Sequence, residues 1–156
     1  GEVVRGRGRM KAGYTIPEGF VPENNVYEVE LNFKFDRNDA PFGLDLCVGE
    51  GRRLPVRFDP STDTFTVDRT NCADVEIEKF PMTKSEVIAT DGENLHMRIF
   101  VDQSSVEIFL EEGHHSFSFL TYPSENQCGL EFYSEGKGPR CSYKIWPLES
   151  IWKKID

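Results

Sequence analysis

Residues 95–110, LHMRIFVDQSSVEIFL, set the narrowest bounds on what this chain can become. Leu95, Met97, Ile99 and Val101 alternate with His96, Arg98, Phe100 and Asp102, a period of two that puts one apolar face on a strand. Asp102, Gln103, Ser104 and Ser105 supply turn chemistry, because Asp and Ser side chains bond to nearby backbone groups. Val106, Ile108 and Leu110 then resume the alternation against Glu107, Phe109 and Glu111. The segment reads as a β-hairpin with β-branched and aromatic residues on both arms.

The same grammar runs through the rest of the chain. Tyr27–Asp36 alternates with Tyr27, Val29, Leu31, Phe33 and Phe35 on one face. Gly43–Gly49 follows, with Leu44, Leu46 and Val48 expected to share a face, and then Leu54–Phe58 and Thr64–Asp68. Asp74–Glu78 and Ser85–Thr90 are weaker candidates. Beyond the hairpin come His114–Tyr122, Cys128–Ser134 and Arg140–Leu148, the last with Cys141, Tyr143 and Ile145 on one face. The first strand is expected near Met10–Ile16, with the basic, glycine-spaced Val3–Lys11 as its solvated lead-in. Glu149–Ile155 reads as a single helical turn. About twelve short strands with turns every 8–12 residues predict an all-β, two-sheet antiparallel sandwich, with residues 1–156 forming one domain.

A domain of 156 residues buries roughly 70% of its unfolded surface and needs no metal or disulfide to be stable. The four cysteines, Cys47, Cys72, Cys128 and Cys141, lack zinc-site spacing; they allow three pairings, and most are expected as free thiols packed in strands. A balance of 18 Lys and Arg against 27 Asp and Glu, net −9, argues against nucleic acid and against an anionic membrane surface as partners. No apolar run approaches the ~20 residues of a membrane-spanning helix. The sequence opens on Gly1 without a signal segment and reads as a piece cut from a longer protein, which leaves the compartment open.

Few residues point to chemistry. Nothing places His96, His114 or His115 beside a particular nucleophile, and neighbours such as His114 and His115 point to opposite faces of a strand and cannot easily share a metal ion. Gly136-Lys137-Gly138 is a hairpin turn rather than a phosphate cradle. No cofactor or metal is expected. Glu107 is outward by alternation and is expected to pair across strands with a cation such as Arg98. Trp146 and Trp152 are candidates for stacking on sugar or for packing at an interface.

The stretch Ile99-Phe100-Val101-Asp102-Gln103-Ser104-Ser105-Val106-Glu107-Ile108-Phe109 resembles a motif of the C-terminal β-sandwich domain of glycoside hydrolase family 32, which holds invertases, levanases, inulinases and sucrose-6-phosphate hydrolases. Phe58-Asp59-Pro60 with Val67-Asp68-Arg69-Thr70, then Gly129–Gly136, and finally Ile145–Trp152 fit the same pattern in the same order. The resemblance implies a lectin-like jelly roll of about six strands per sheet, following a five-bladed catalytic propeller in the parent chain. The propeller's Trp-Met-Asn-Asp-Pro-like, Arg-Asp-Pro and Glu-Cys motifs do not occur here: no Cys follows a Glu, and the single Asp-Pro, Asp59-Pro60, is preceded by Phe58. No catalytic residue carries over, so the isolated chain is expected to be inactive. The implied role is an accessory one, stabilising or assembling the propeller module, in some members through dimers; the alternative is a module that binds fructan or another carbohydrate. Asp68, Arg69, Thr70, Asp102, Ser104, Ser105 and Glu107 are expected to hold turns and register. His96, Arg98, Phe100, Trp146 and Trp152 are the candidate contacts to a propeller or a sugar.

Overall fold

The computed structural model describes residues 3–21, 24–72 and 83–148. Among them twelve strands form two six-stranded antiparallel sheets. In chain order these are β1 (Val4–Arg9), β2 (Gly13–Thr15), β3 (Tyr27–Lys34), β4 (Phe42–Gly49), β5 (Arg52–Asp59), β6 (Thr64–Asp68), β7 (Thr83–Val87), β8 (Asn94–Val101), β9 (Ser105–Leu110), β10 (His115–Leu120), β11 (Gly129–Ser134) and β12 (Arg140–Pro147). Sheet A runs β1-β12-β3-β8-β9-β10 and sheet B runs β2-β11-β4-β5-β6-β7. The expected strand at Asp74–Glu78, the turn at Glu149–Ile155 and Trp152 lie outside the described residues.

Alternation decides which side chains go inward. On β3, Tyr27, Val29, Leu31 and Phe33 are buried; across from them on β8 lie Leu95, Met97, Ile99 and Val101, also buried. The inner faces of the two sheets meet over an aromatic cluster, Phe33, Phe35, Phe42 and Phe58, with ring centroids 4.8–6.0 Å apart. Tilted and edge-on rings at such spacings add to simple area burial.

Three expectations are corrected. The basic lead-in is itself a strand: β1 pairs with β12 from Val4↔Ile145 to Arg9↔Arg140, and the region read as the first strand begins only at β2. After Val4 its inward positions are Gly6 and Gly8, so no repeating apolar pattern announces it; a Cβ at Gly6 would collide with the Tyr143 hydroxyl, whose ring fills that space. On β4 the register shifts between Leu46 and Gly49, and Cys47 adopts a φ of 51°. This bulge turns Cys47 into the core and leaves Val48 half-buried, instead of sharing the face of Leu44 and Leu46. None of the four cysteines forms a disulfide, but Cys72 and Cys128 stand in loops rather than strands.

Candidate functional site

The two motif segments of the sequence converge. Arg69 leaves the end of β6 and runs inward, its guanidinium over the Phe119 ring (5.2 Å) and Nη1 donating to the Leu120 carbonyl (3.1 Å). It thereby ties sheet B to the last residue of β10. Arg69, Lys84, Ser105, Glu107 and Ser118 line one cleft of about 390 Å³ at this edge of the sandwich. Asp68 acts locally: Oδ1 accepts from the Thr70 backbone N–H (2.9 Å) and hydroxyl (2.7 Å), which closes the turn that aims Arg69. The β8–β9 corner is similar. The Asp102 N–H donates to the Ser105 carbonyl, Asp102 Oδ1 accepts from the Gln103 N–H, and the Ser104 carbonyl accepts from Thr121 N–H.

Glu107 does not pair with Arg98. Its cross-strand neighbour on β8 is Phe100, while Arg98 turns to β3, with Nε 2.8 Å from Glu28 and Nη2 3.2 Å from Glu30. Alternation predicts the face of a strand and not which neighbouring strand supplies the counter-charge. Phe100 meets Phe109 edge-on at 5.9 Å, and Trp146 lies 5.8 Å from the Arg98 guanidinium. These outward residues of sheet A form one half-buried aromatic and ionic patch.

Beside that patch a groove crosses sheet A at right angles to the strands. Register places Arg7, Ser142, Asn32 and His96 in one row on four adjacent strands. The short Ser142 and Asn32 form the floor between two rows of longer side chains. One flanking row is Arg5, Lys144 and Glu30; the other is Arg9, Arg140 and Lys34. The main part of the groove encloses about 1190 Å³ and ends at Glu111 and His114. Glu111 sits in the left-handed region (φ 51°), and its carboxylate accepts from the His96 N–H (2.9 Å), next to the last β8–β9 pair, Met97↔Leu110. The His96 Nδ1 is buried with no partner among the described residues. His114 is exposed, and His115, which also lines this end of the groove, has Nδ1 3.4 Å from Glu86. No cluster of three or more metal-ligating side chains forms among the described residues.

The outward face of sheet B holds a network that sequence reading missed. Asp45 is fully buried on an outward position, between Arg53 (Nη1 to Oδ2, 2.6 Å) and Arg57 (Nη1 to Oδ1, 2.6 Å). The second contact lies off the N–H direction and is coulombic, since Arg57 Nη1 points its protons at the Leu44 and Val56 carbonyls. Tyr14 covers Arg53 at 4.4 Å and Tyr133 covers Arg57 at 4.1 Å, the two rings 4.8 Å apart. Burial opposes the charge on Arg53, but the hydrogen bond and field of Asp45 more than offset it and raise its pKa. Gly43 lies between Tyr133 and Arg57 in register, and a Cβ there would fall on the Val56 carbonyl. The signal available in the sequence was a lone acid, Asp45, inside the apolar run Phe42–Val48.

Comparison with known proteins places this architecture. Residues 6–147 match the model of the family described as glycosyl hydrolases family 32 C terminal. A levanase of Bacillus sp. (strain L7) is 30% identical over 135 residues, covering 84% of this chain and 15% of that protein. A levanase of Bacillus subtilis (strain 168) is 30% identical over 132 residues, covering 82% and 20%. Among solved structures, the exo-inulinase of Aspergillus awamori superposes with a TM-score of 0.80 at 22% identity, over 94% of this chain and 29% of that one. The sucrose-6-phosphate hydrolase of Lactobacillus gasseri gives 0.70 at 20% identity, over 95% and 29%. The chain thus spans no more than a fifth of the length of either levanase.

Proposed function

The chain belongs to the C-terminal domain family of the family 32 glycosyl hydrolases, and from that premise we propose that it is the non-catalytic accessory sandwich of a longer β-fructofuranosidase-type enzyme. Its role is to stabilise or assemble a catalytic propeller in the same parent chain, where sucrose or fructan is hydrolysed. The observation that carries this reading is the match over residues 6–147 to a terminal domain that makes up only a fraction of enzymes such as levanases. Several of the buried and half-buried acids are already tied up in structural contacts, as suits a scaffold. Glycosidase chemistry uses two carboxylates facing one sugar across about 5–9.5 Å. Here Asp45 is held by two arginines, Glu28 and Glu30 are committed to Arg98, and Asp68 to its own turn.

The test has two parts. The purified chain is incubated with sucrose, inulin and levan and releases no fructose; release above a buffer blank refutes the reading. Joining the chain to the catalytic module raises that module's thermal midpoint, and an unchanged midpoint removes the stabilising role.

A second reading is favoured by one specific feature. The groove across sheet A has a floor of hydroxyl, amide and imidazole groups, Ser142, Asn32 and His96, which suits the polyhydroxyl edge of a carbohydrate. Titration with fructan oligosaccharides, read by amide chemical shifts of those three residues, tests it.

A further inference from the structure

We propose that the groove across sheet A is a binding site for an anionic glycan, a sugar chain carrying carboxylate, sulfate or phosphate groups. The inference rests on the carbohydrate-binding reading and sharpens its ligand. The chain as a whole carries a net charge of −9. Yet one outward corner of sheet A gathers six cations on three adjacent strands: Arg5, Arg7 and Arg9 on β1, Arg140 and Lys144 on β12, and Lys34 on β3. None of the six forms an ion pair with another described residue. Arg9 instead spends one N–H on the Gly138 carbonyl. The nearest carboxylate, Glu30, is already drawn to Arg98.

Ordinary surface chemistry does not produce this arrangement. Outward cations on a sheet are normally interleaved with acids across strands, because like charges placed opposite each other repel. Here Arg5 faces Lys144 and Arg9 faces Arg140 directly, with Lys34 next in the second row. The repulsion persists in the free protein and is relieved when an anion enters between the rows. The geometry specifies more than a charge. The uncharged Ser142 and Asn32 lie between a wall of Arg9, Arg140 and Lys34 and a wall of Arg5 and Lys144 that ends at Glu30, so hydroxyls of a bound sugar meet hydrogen-bonding groups while its anionic substituents meet Arg7, Arg140 or Lys144. Arginine presents paired N–H donors that match carboxylate, sulfate and phosphate alike. Of the acids that line the groove, Asp91 and Glu111 stand at its far end and Glu30 is drawn to Arg98, which leaves β1 and β12 as the side that receives the anionic groups.

The experiment titrates the 156-residue chain, observed by amide NMR, with four probes: oligogalacturonate, a sulfated oligosaccharide, a neutral inulin oligosaccharide and inorganic phosphate. One or both anionic glycans are expected to shift Asn32, His96 and Ser142, and the stronger of the two identifies the anion. The affinity falls about tenfold or more in Arg7→Ser/Arg140→Ser, and it weakens as salt rises from about 0.05 M to about 0.5 M. Both side chains are exposed and unpaired with other described residues, so the variant keeps its melting temperature. Equal affinity for inulin, insensitive to salt and to the variant, overturns the anionic proposal while the carbohydrate reading stands. Phosphate binding as tightly as the glycans also overturns it, since the sugar chain then adds nothing. Silence from every probe removes both the inference and the carbohydrate reading, and leaves the accessory role untouched.

Discussion

Asp45→Asn is the most incisive perturbation of the sandwich. The carboxylate has no solvent exposure, and the two guanidiniums around it keep only 33% and 22% of theirs. The substitution preserves shape but removes the charge and turns an amide N–H₂ toward one of two cations. Breaking a buried ion pair by removing one partner costs about 3–5 kcal/mol. Two features lower that figure here. Arg53 retains Glu131 at 3.5 Å, and Arg57 retains its bonds to Leu44 and Val56. Both arginines also reach solvent in part, so screening applies. The expected loss is therefore about 2–3 kcal/mol, a large share of the 5–15 kcal/mol typical of a domain. Urea unfolding followed by tryptophan fluorescence reads it. With a slope of about 2 kcal/mol/M the midpoint falls by roughly 1–1.5 M while the slope stays the same. Replacing all three charges, as Asp45→Leu/Arg53→Met/Arg57→Met, recovers most of the loss, because apolar residues of similar volume satisfy a buried site as well as an ion triad does. A midpoint for Asp45→Asn within experimental error of the parent chain refutes the argument, and so does a triple variant weaker than the single one.

Two further outcomes follow from the packing and from the thiols. Gly43→Ala places a Cβ against the Val56 carbonyl oxygen, a backbone atom that cannot swing away; a loss of about 3 kcal/mol or more in the same urea assay is expected, and a neutral result shows that β4 and β5 can part freely. Burial pushes the Cys47 thiol up to about 12, helped by Cys72 and opposed by the polar Thr121 hydroxyl nearby, and burial alone does the same to Cys141. The unfolded chain then loses these protons first, from its ordinary value of 9.0 upward, so stability is intact below pH 9 and declines as pH rises toward 12. At about pH 10.5 the decline is about 2 kcal/mol per thiol, and Cys47→Ala/Cys141→Ala flattens the pH dependence of the urea midpoint; a parent chain equally stable at pH 8 and about pH 10.5 contradicts the assignment.

Much of the fold could be read from alternation alone, since strands such as β3, β8 and β9 carry a large apolar residue at every inward position. Reading fails where the inward residue has no side chain to give a signal, as at Gly6 and Gly8, or where a bulge breaks the period, as at Cys47. The bonds that Asp68 and Asp102 make within their turns are local, with partners one or two residues away, which is the range over which a sequence can be read. The groove was not, because Arg7, Asn32, His96 and Ser142 meet only through the pairing order of strands far apart in sequence. Asp45 stood out in its apolar run, but the arginines that justify it are set by the β4–β5 register.

The pairing of β12 between β1 and β3 also sets a timetable. β3 lies at the centre of sheet A, yet one of its edges stays bare until Arg140–Pro147 has been made, and β1 has no partner at all until then. A growing chain therefore carries the exposed backbone of β1 and of one edge of β3 until residues 140–147 have been added. Such long-range closure slows folding and leaves edges open to other chains. The arginines of β1 give that waiting strand a charge that discourages pairing with its own kind, so the same residues that shape the mature groove also guard the chain before the sandwich closes.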